Sequence, residues 1–151
     1  PGVRFEVLPT LDGFEACYAL EITQPVDHEN PNGGETFRQR VYLAQVDPSR
    51  PTVMVTEGYS RGFQYPAELT TAIGANQLIV EHRYYGESLP ENVDYGFLGI
   101  EQAAADLNRI RTLFEDWFTG PWLASGISKG GQTTQITERT GQATTLLLSG
   151  R

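Results

Sequence analysis

Cysteine is nearly absent from this chain of 151 residues, with Cys17 alone. It can form no internal disulfide and lies in a stretch that reads as a strand, so it is taken as a buried structural thiol. Histidine is almost as scarce, present only as His28 and His82. No Cys/His cluster has zinc spacing and no G-x-x-x-x-G-K-[ST] loop occurs, so no metal or other cofactor is expected. A basic surplus is also lacking. The formal net charge of -8 argues against nucleic acid or an anionic membrane surface as a partner. Long hydrophobic runs are missing, and the apolar stretches are strand-sized. The start, PGVRFEV, has no initiator methionine and no basic-then-apolar leader, and reads as a mature or trimmed end. What remains, 39% hydrophobic and 20% charged, is the composition of one small soluble globular domain.

Along the chain, FEACYALEI (14–22) and TFRQRVYLAQV (36–46) alternate in polarity across the turn-rich DHENPNGG, which predicts an antiparallel hairpin. PTVMVTEG (51–58), QLIVEHR (77–83) and WLASGIS (122–128) are almost continuously apolar. Such runs suit central strands of a parallel sheet, covered on both faces. Helical patterns fill the gaps at 64–74 and 100–118. In the second, Ile100, Ala103, Ala104, Leu107, Ile110, Leu113, Phe114 and Trp117 follow helical spacing, and Gly120-Pro121 stops the helix. The order β-β-β-α-β-α-β-α, an antiparallel hairpin feeding a right-handed parallel sheet, is that of the amino-terminal half of an α/β-hydrolase fold.

WLASGISKGGQ places Ser128 inside Gly126-Ile127-Ser128-Lys129-Gly130, the sequence form of a nucleophile elbow. A strand turns sharply into a helix there and presents the serine hydroxyl, and glycines permit the close backbone approach. A serine nucleophile needs donors for the oxyanion of its tetrahedral intermediate. The predicted donors are the backbone N–H of Lys129 and that of Tyr59, in the loop Glu57-Gly58-Tyr59-Ser60-Arg61-Gly62. Ser128 also needs a base. Both histidines precede it, whereas in this fold the acid and the histidine follow the serine. His28 reads as a solvated turn residue and His82 as a hydrogen-bonded structural one. Asp106 and Asp116 fall on a helix with a solvated face and make poor triad members. Arg83-Tyr84-Tyr85-Gly86-Glu87-Ser88 is a dense polar-aromatic turn that either lines a pocket or braces the elbow.

TQPVDHENPNGGETFRQRVYL, VTEGY, IVEHRYYGESLP, GIEQAAADLNRI and SGISKGGQT together resemble the bacterial secreted tripeptidyl-aminopeptidase family of serine peptidases, distant relatives of the prolyl carboxypeptidases. The resemblance spans residues 14–134. It implies an α/β-hydrolase exopeptidase, exported from the cell, with Ser128 as acylated nucleophile and a peptide as substrate. An exopeptidase that removes short peptides from a free amino terminus needs a carboxylate for the substrate ammonium, and Glu57 is the candidate.

Two departures accompany the resemblance. Members of that family continue into a helical cap and then the aspartate and histidine, which this sequence does not contain. After Thr134, TQITERTGQATTLLLSGR is rich in Thr and Gln and interrupted by Gly141, so a poor helix is expected there. The expectation is therefore one partial domain over 1–151, with a divergent tail over 135–151, inactive alone, and prone to associate through an exposed sheet edge. An esterase or lipase of the same fold, or a non-catalytic fragment, are the alternatives.

Overall fold

A computed structural model describes residues 2–126 and 129–139, the last five of these as helix backbone. The strands are β1 (Val3–Leu8), β2 (Ala16–Pro25), β3 (Thr36–Gln45), β4 (Thr52–Thr56), β5 (Asn76–Val80) and β6 (Trp122–Gly126). The helices are α1 (Glu68–Ile73), α2 (Ile100–Phe114) and α3 (Lys129–Arg139). One sheet takes the order β1-β2-β3-β5-β4-β6. Its first three pairings are antiparallel, with β3 meeting β5 through Val41↔Val80 to Ala44↔Gln77. β4 then runs parallel to both β5 and β6. The long apolar runs thus form the parallel side of the sheet, the alternating segments form the antiparallel side, and β6, expected as a central strand, is an edge among the described residues.

Every residue of β4 and β5 is buried because both sheet faces are covered. On one face Ile22, Val41, Leu43, Met54 and Leu78 meet Leu107 and Ile110 of α2, with Phe118 and Trp122. On the other, Tyr42, Val53, Val55 and Ile79 pack with Ala67 and Ala75 at the two ends of α1. Each fully buried Val, Leu or Ile contributes about 1.5–3 kcal/mol. Two amides on β5 are also fully buried. Asn76 Oδ1 accepts the Val46 and Asp47 N–H groups at 2.8 and 3.1 Å, and its Nδ2 donates to the Asp47 carbonyl at 2.7 Å. Gln77 receives the Ala67 N–H at 2.8 Å and donates to the Tyr65 carbonyl at 2.7 Å. Cys17 is buried on β2, where its Sγ accepts from Leu11 N–H.

Three elements differ from the sequence reading. β1 is an additional edge strand. Its apolar residues Val3, Phe5 and Val7 point to solvent, so burial left no composition signal. α2 ends at Phe114, four residues early, and the chain then swings Phe118 into the core while Trp117 is 60% exposed. β5 ends at Val80, so Glu81, His82 and Arg83 begin a loop. α3, the helix expected after the elbow, continues as backbone five residues past Thr134 to Arg139, and the rest of the Thr-rich tail, 140–151, lies outside the described residues. Thr133 and Thr134 bond back to the carbonyls of Lys129 and Gly130, at 3.2 and 3.0 Å, which satisfies their buried hydroxyls. Glycine contacts replace an apolar stripe: a Cβ on Gly130 would overlap the Thr56 carbonyl oxygen, and one on Gly126 would lie 2.6 Å from Gly130 C. No helix among the described residues is long and apolar enough to cross a membrane.

Candidate active site

The carboxyl ends of β4, β5 and β6 converge, and ligands approach α/β sheets at that edge. β4 delivers the loop 57–62, β5 the turn 81–88, and β6 leads through Gly126 toward α3. Ser128 and Ile127 lie outside the described residues, but both flanks of the elbow are described.

The flanks set the loop after β4, which carries Tyr59, against the start of α3, which carries Lys129. A Cβ on Gly58 would stand 3.2 Å from Lys129 Cβ, 3.3 Å from Gly130 N and 3.4 Å from Lys129 N. The peptide before Tyr59 therefore packs on the first turn of α3, a contact a side chain at 58 would strain. Gly62 has nothing within 4 Å of such a Cβ, so of these two loop glycines only Gly58 is required by close approach. The Tyr59 carbonyl accepts the His82 N–H at 3.2 Å, and its ring is 56% exposed. Tyr59 N–H meets no acceptor among the described residues.

Glu57 is buried beside this frame. Its Oε1 receives Arg61 Nη2 at 2.8 Å, Arg61 Nε at 3.0 Å and the Tyr65 hydroxyl at 3.0 Å. Burial, then the Glu57 charge, push the Tyr65 hydroxyl up to about 12. The Arg61 guanidinium also lies over the Tyr65 ring, 4.7 Å from its centroid. Glu57 Oε2 takes no hydrogen bond from the described residues.

The 81–88 turn braces the site, and its first residues, Glu81, His82 and Arg83, also line a small cavity under it. Glu81 is 1% exposed, and its carboxylate accepts Arg61 N–H at 2.6 Å, Glu87 N–H at 2.9 Å and Ser88 Oγ at 2.8 Å. One buried anion thus joins the β4 and β5 loops. The tight path requires Gly86 at φ +54, hard against that carboxylate, and holds Tyr84 at φ +69. Arg83 is fully buried with all five N–H groups engaged. Nε and Nη2 grip Asp106 at 2.8 and 3.0 Å, and the remaining donors reach the Pro25, Val26 and Phe97 carbonyls.

Each histidine makes a polar contact through one ring nitrogen. His28 Nε2 lies 2.7 Å from Asp106 Oδ1, so it is a packed member of the Arg83–Asp106 cluster and not a solvated turn residue. Asp106 itself is 0% exposed, which corrects its placement on a solvated helix face. The signal was present: Asp106 falls three residues after Ala103 and four before Ile110, on the buried stripe of α2. Asp116 is exposed beyond the end of α2. His82 is 4% exposed with Nδ1 at 2.9 Å from the Arg83 carbonyl, and burial holds its pKa below the ordinary value. Among the described residues no group of His, Cys, Asp and Glu is arranged to hold a metal ion.

The model of one protein family, described as PS-10 peptidase S37, matches residues 8–144. A prolyl tri/tetrapeptidyl aminopeptidase of Streptomyces mobaraensis is 37% identical over 134 residues, 88% of this chain and 28% of that enzyme. The chain therefore spans just over a quarter of that relative's length. Among solved structures, a cold-adapted esterase from an Arctic intertidal metagenomic library superposes with a TM-score of 0.64 at 15% identity, covering 94% of this chain and 63% of that one. An alpha/beta hydrolase from Novosphingobium aromaticivorans gives 0.58 at 18% identity, covering 97% and 44%. These likenesses establish the fold as part of an α/β-hydrolase.

Proposed function

The chain belongs to the PS-10 peptidase S37 family, and on that premise we propose that it carries the nucleophile half of a serine exopeptidase site. The observation that carries this is the packing of Gly58 on Lys129 and Gly130, which sets the loop after β4 against the start of α3. In the reaction Ser128 Oγ attacks the scissile carbonyl, its proton passes to a base, and the carbonyl oxygen gains negative charge. Lys129 N–H and Tyr59 N–H hold that oxyanion. The leaving amine departs with a proton, and water then releases the acyl peptide from Ser128. His28 and His82 both precede Ser128, whereas in this fold the acid and the histidine follow the serine, so in this reading the base–acid pair belongs to further polypeptide. The substrate is a peptide with a free amino terminus, cleaved after its first few residues. Glu57 Oε2, the oxygen Arg61 and Tyr65 leave open, receives its ammonium. The reaction takes place outside the cytoplasm, in keeping with the secreted peptidases the sequence resembles.

A fluorophosphonate probe tests the assignment. The natural polypeptide that carries this chain is expected to be labelled at Ser128, and S128A is expected to abolish labelling. The 151-residue chain alone should react about 10⁴-fold more slowly or worse, as serine enzymes stripped of their base do. Equal rates, or labelling at another residue, would overturn it. E57Q should raise KM for peptides with a free amino terminus about tenfold while sparing amino-acylated ones; equal effects on both would remove Glu57 from substrate recognition.

A further inference from the structure

The two residues assigned as oxyanion donors are joined by a third side chain that the reaction as written does not use. The Tyr85 ring meets the Tyr59 ring edge to face, with centroids 5.3 Å apart at 89°. The Lys129 ammonium stands 5.1 Å from the centroid of the same Tyr85 ring. A further edge-to-face contact, at 5.7 Å and 81°, anchors Tyr85 on buried His82. His82 in turn donates its backbone N–H to the Tyr59 carbonyl.

This arrangement answers a mechanical problem. The Tyr59 carbonyl is tied to His82, but the N–H that faces substrate belongs to the preceding peptide, between Gly58 and Tyr59. Glycine offers little torsional resistance, so that peptide can rotate its N–H away from the site at small cost. Tyr59 is largely exposed, and no core packing fixes its side chain. Its restraint comes from Tyr85, which at the same time draws in the side chain of Lys129 through the attraction of a cation for an aromatic face.

We propose that Tyr85 is a positioning residue, a clamp whose ring holds Tyr59 and Lys129 so that both backbone N–H groups point at one oxyanion. The proposal rests on the hydrolase reading above. It requires the ring and not the phenol hydroxyl, because all three contacts are made by the ring. Substitution by phenylalanine should therefore be tolerated, and substitution by leucine should not.

Lys129 is the sole lysine of the chain, which gives a readout independent of catalysis. Reductive ¹³C-methylation keeps its positive charge and places one labelled side chain against the ring. In the 151-residue chain the methyl resonance of Lys129 is expected to be shifted upfield by the Tyr85 ring current. The shift should persist in Y85F and collapse to the random-coil position in Y85L, with far-ultraviolet dichroism unchanged in both. An unshifted resonance in the parent chain would overturn the clamp whatever the enzyme does. In the natural polypeptide, Y85L should lower kcat about ten- to a hundredfold with KM within twofold, less than the loss of a whole oxyanion donor. Y85F should retain the parent kcat. A shifted resonance with an unchanged kcat in Y85L would leave a clamp with no part in the reaction and also overturn the proposal. Failure of the hydrolase reading itself appears separately, as S128A retaining probe labelling.

Discussion

At the scale of single residues, the densest chemistry in the molecule is not at the reacting centre. Arg83, Asp106 and His28 form a buried cluster in which a guanidinium is held on two sides by one carboxylate. Removing one partner of a buried ion pair leaves a charge without compensation, at a cost of about 3–5 kcal/mol. Since whole domains are stable by only about 5–15 kcal/mol, D106N should shift the urea midpoint sharply downward with the slope unchanged. A change below about 0.5 kcal/mol would mean that solvent or another group replaces the carboxylate. The position of Asp106 on the apolar stripe of α2 marks it as buried, but a charged side chain is read as solvated until its partner is known. That partner lies 23 positions away in the chain, beyond the reach of any local pattern.

At the scale of elements, the elbow depends on glycine rather than on apolar contact. Gly130 stands against the Thr56 carbonyl at the end of β4, and Thr134 and Thr56 share a hydroxyl hydrogen bond of 3.1 Å. G130A forces β4 and α3 apart, with an expected loss of about 1–3 kcal/mol by thermal melting and a matching loss of Ser128 labelling. G62A, in open space four residues along the same loop from Gly58, should stay within about 0.5 kcal/mol of the parent. Equal effects would mean that the helix is not seated on the strand. The same contrast explains what was legible beforehand. β4, β5 and β6 announced themselves because strands covered largely on both faces are rich in apolar residues. The G-x-S-x-G pattern is readable because such a turn admits few residue types, while the turn itself, at Ile127 and Ser128, lies outside the described residues. The helix after the elbow was expected, but not its Thr-rich continuation, since hydroxyl back-bonds and glycine approach hold α3 where composition and propensity count against a helix. β1 was not, since it buries no apolar face of its own.

At the scale of the whole molecule, burial of uncharged His82 links stability to pH. Its native pKa is lowered, so the unfolded chain takes up the proton first as the solution is acidified. The native state therefore loses stability as pH falls through the ordinary histidine value of about 6.5, and keeps it above. H82Q, which cannot take up that proton, should show a smaller drop in urea midpoint between pH 8 and pH 5. An unchanged drop would assign the acid sensitivity to other groups.

The order of the strands has a consequence for how the chain reaches this state. β5 is synthesised after β3 and β4, yet it ends between them. Those two strands must not zip together while they wait, or the later one has no place to enter. In the folded sheet Asn76 and Gln77 mark the register of that strand through their buried hydrogen bonds. A slip of one residue exchanges the two sheet faces and strips both amides of their partners. Each orphaned buried amide costs about 1–3 kcal/mol, enough to reject a misaligned strand while the apolar residues around it would accept one. Two polar side chains in an apolar strand thus serve as the key that tells the correct alignment from its neighbours.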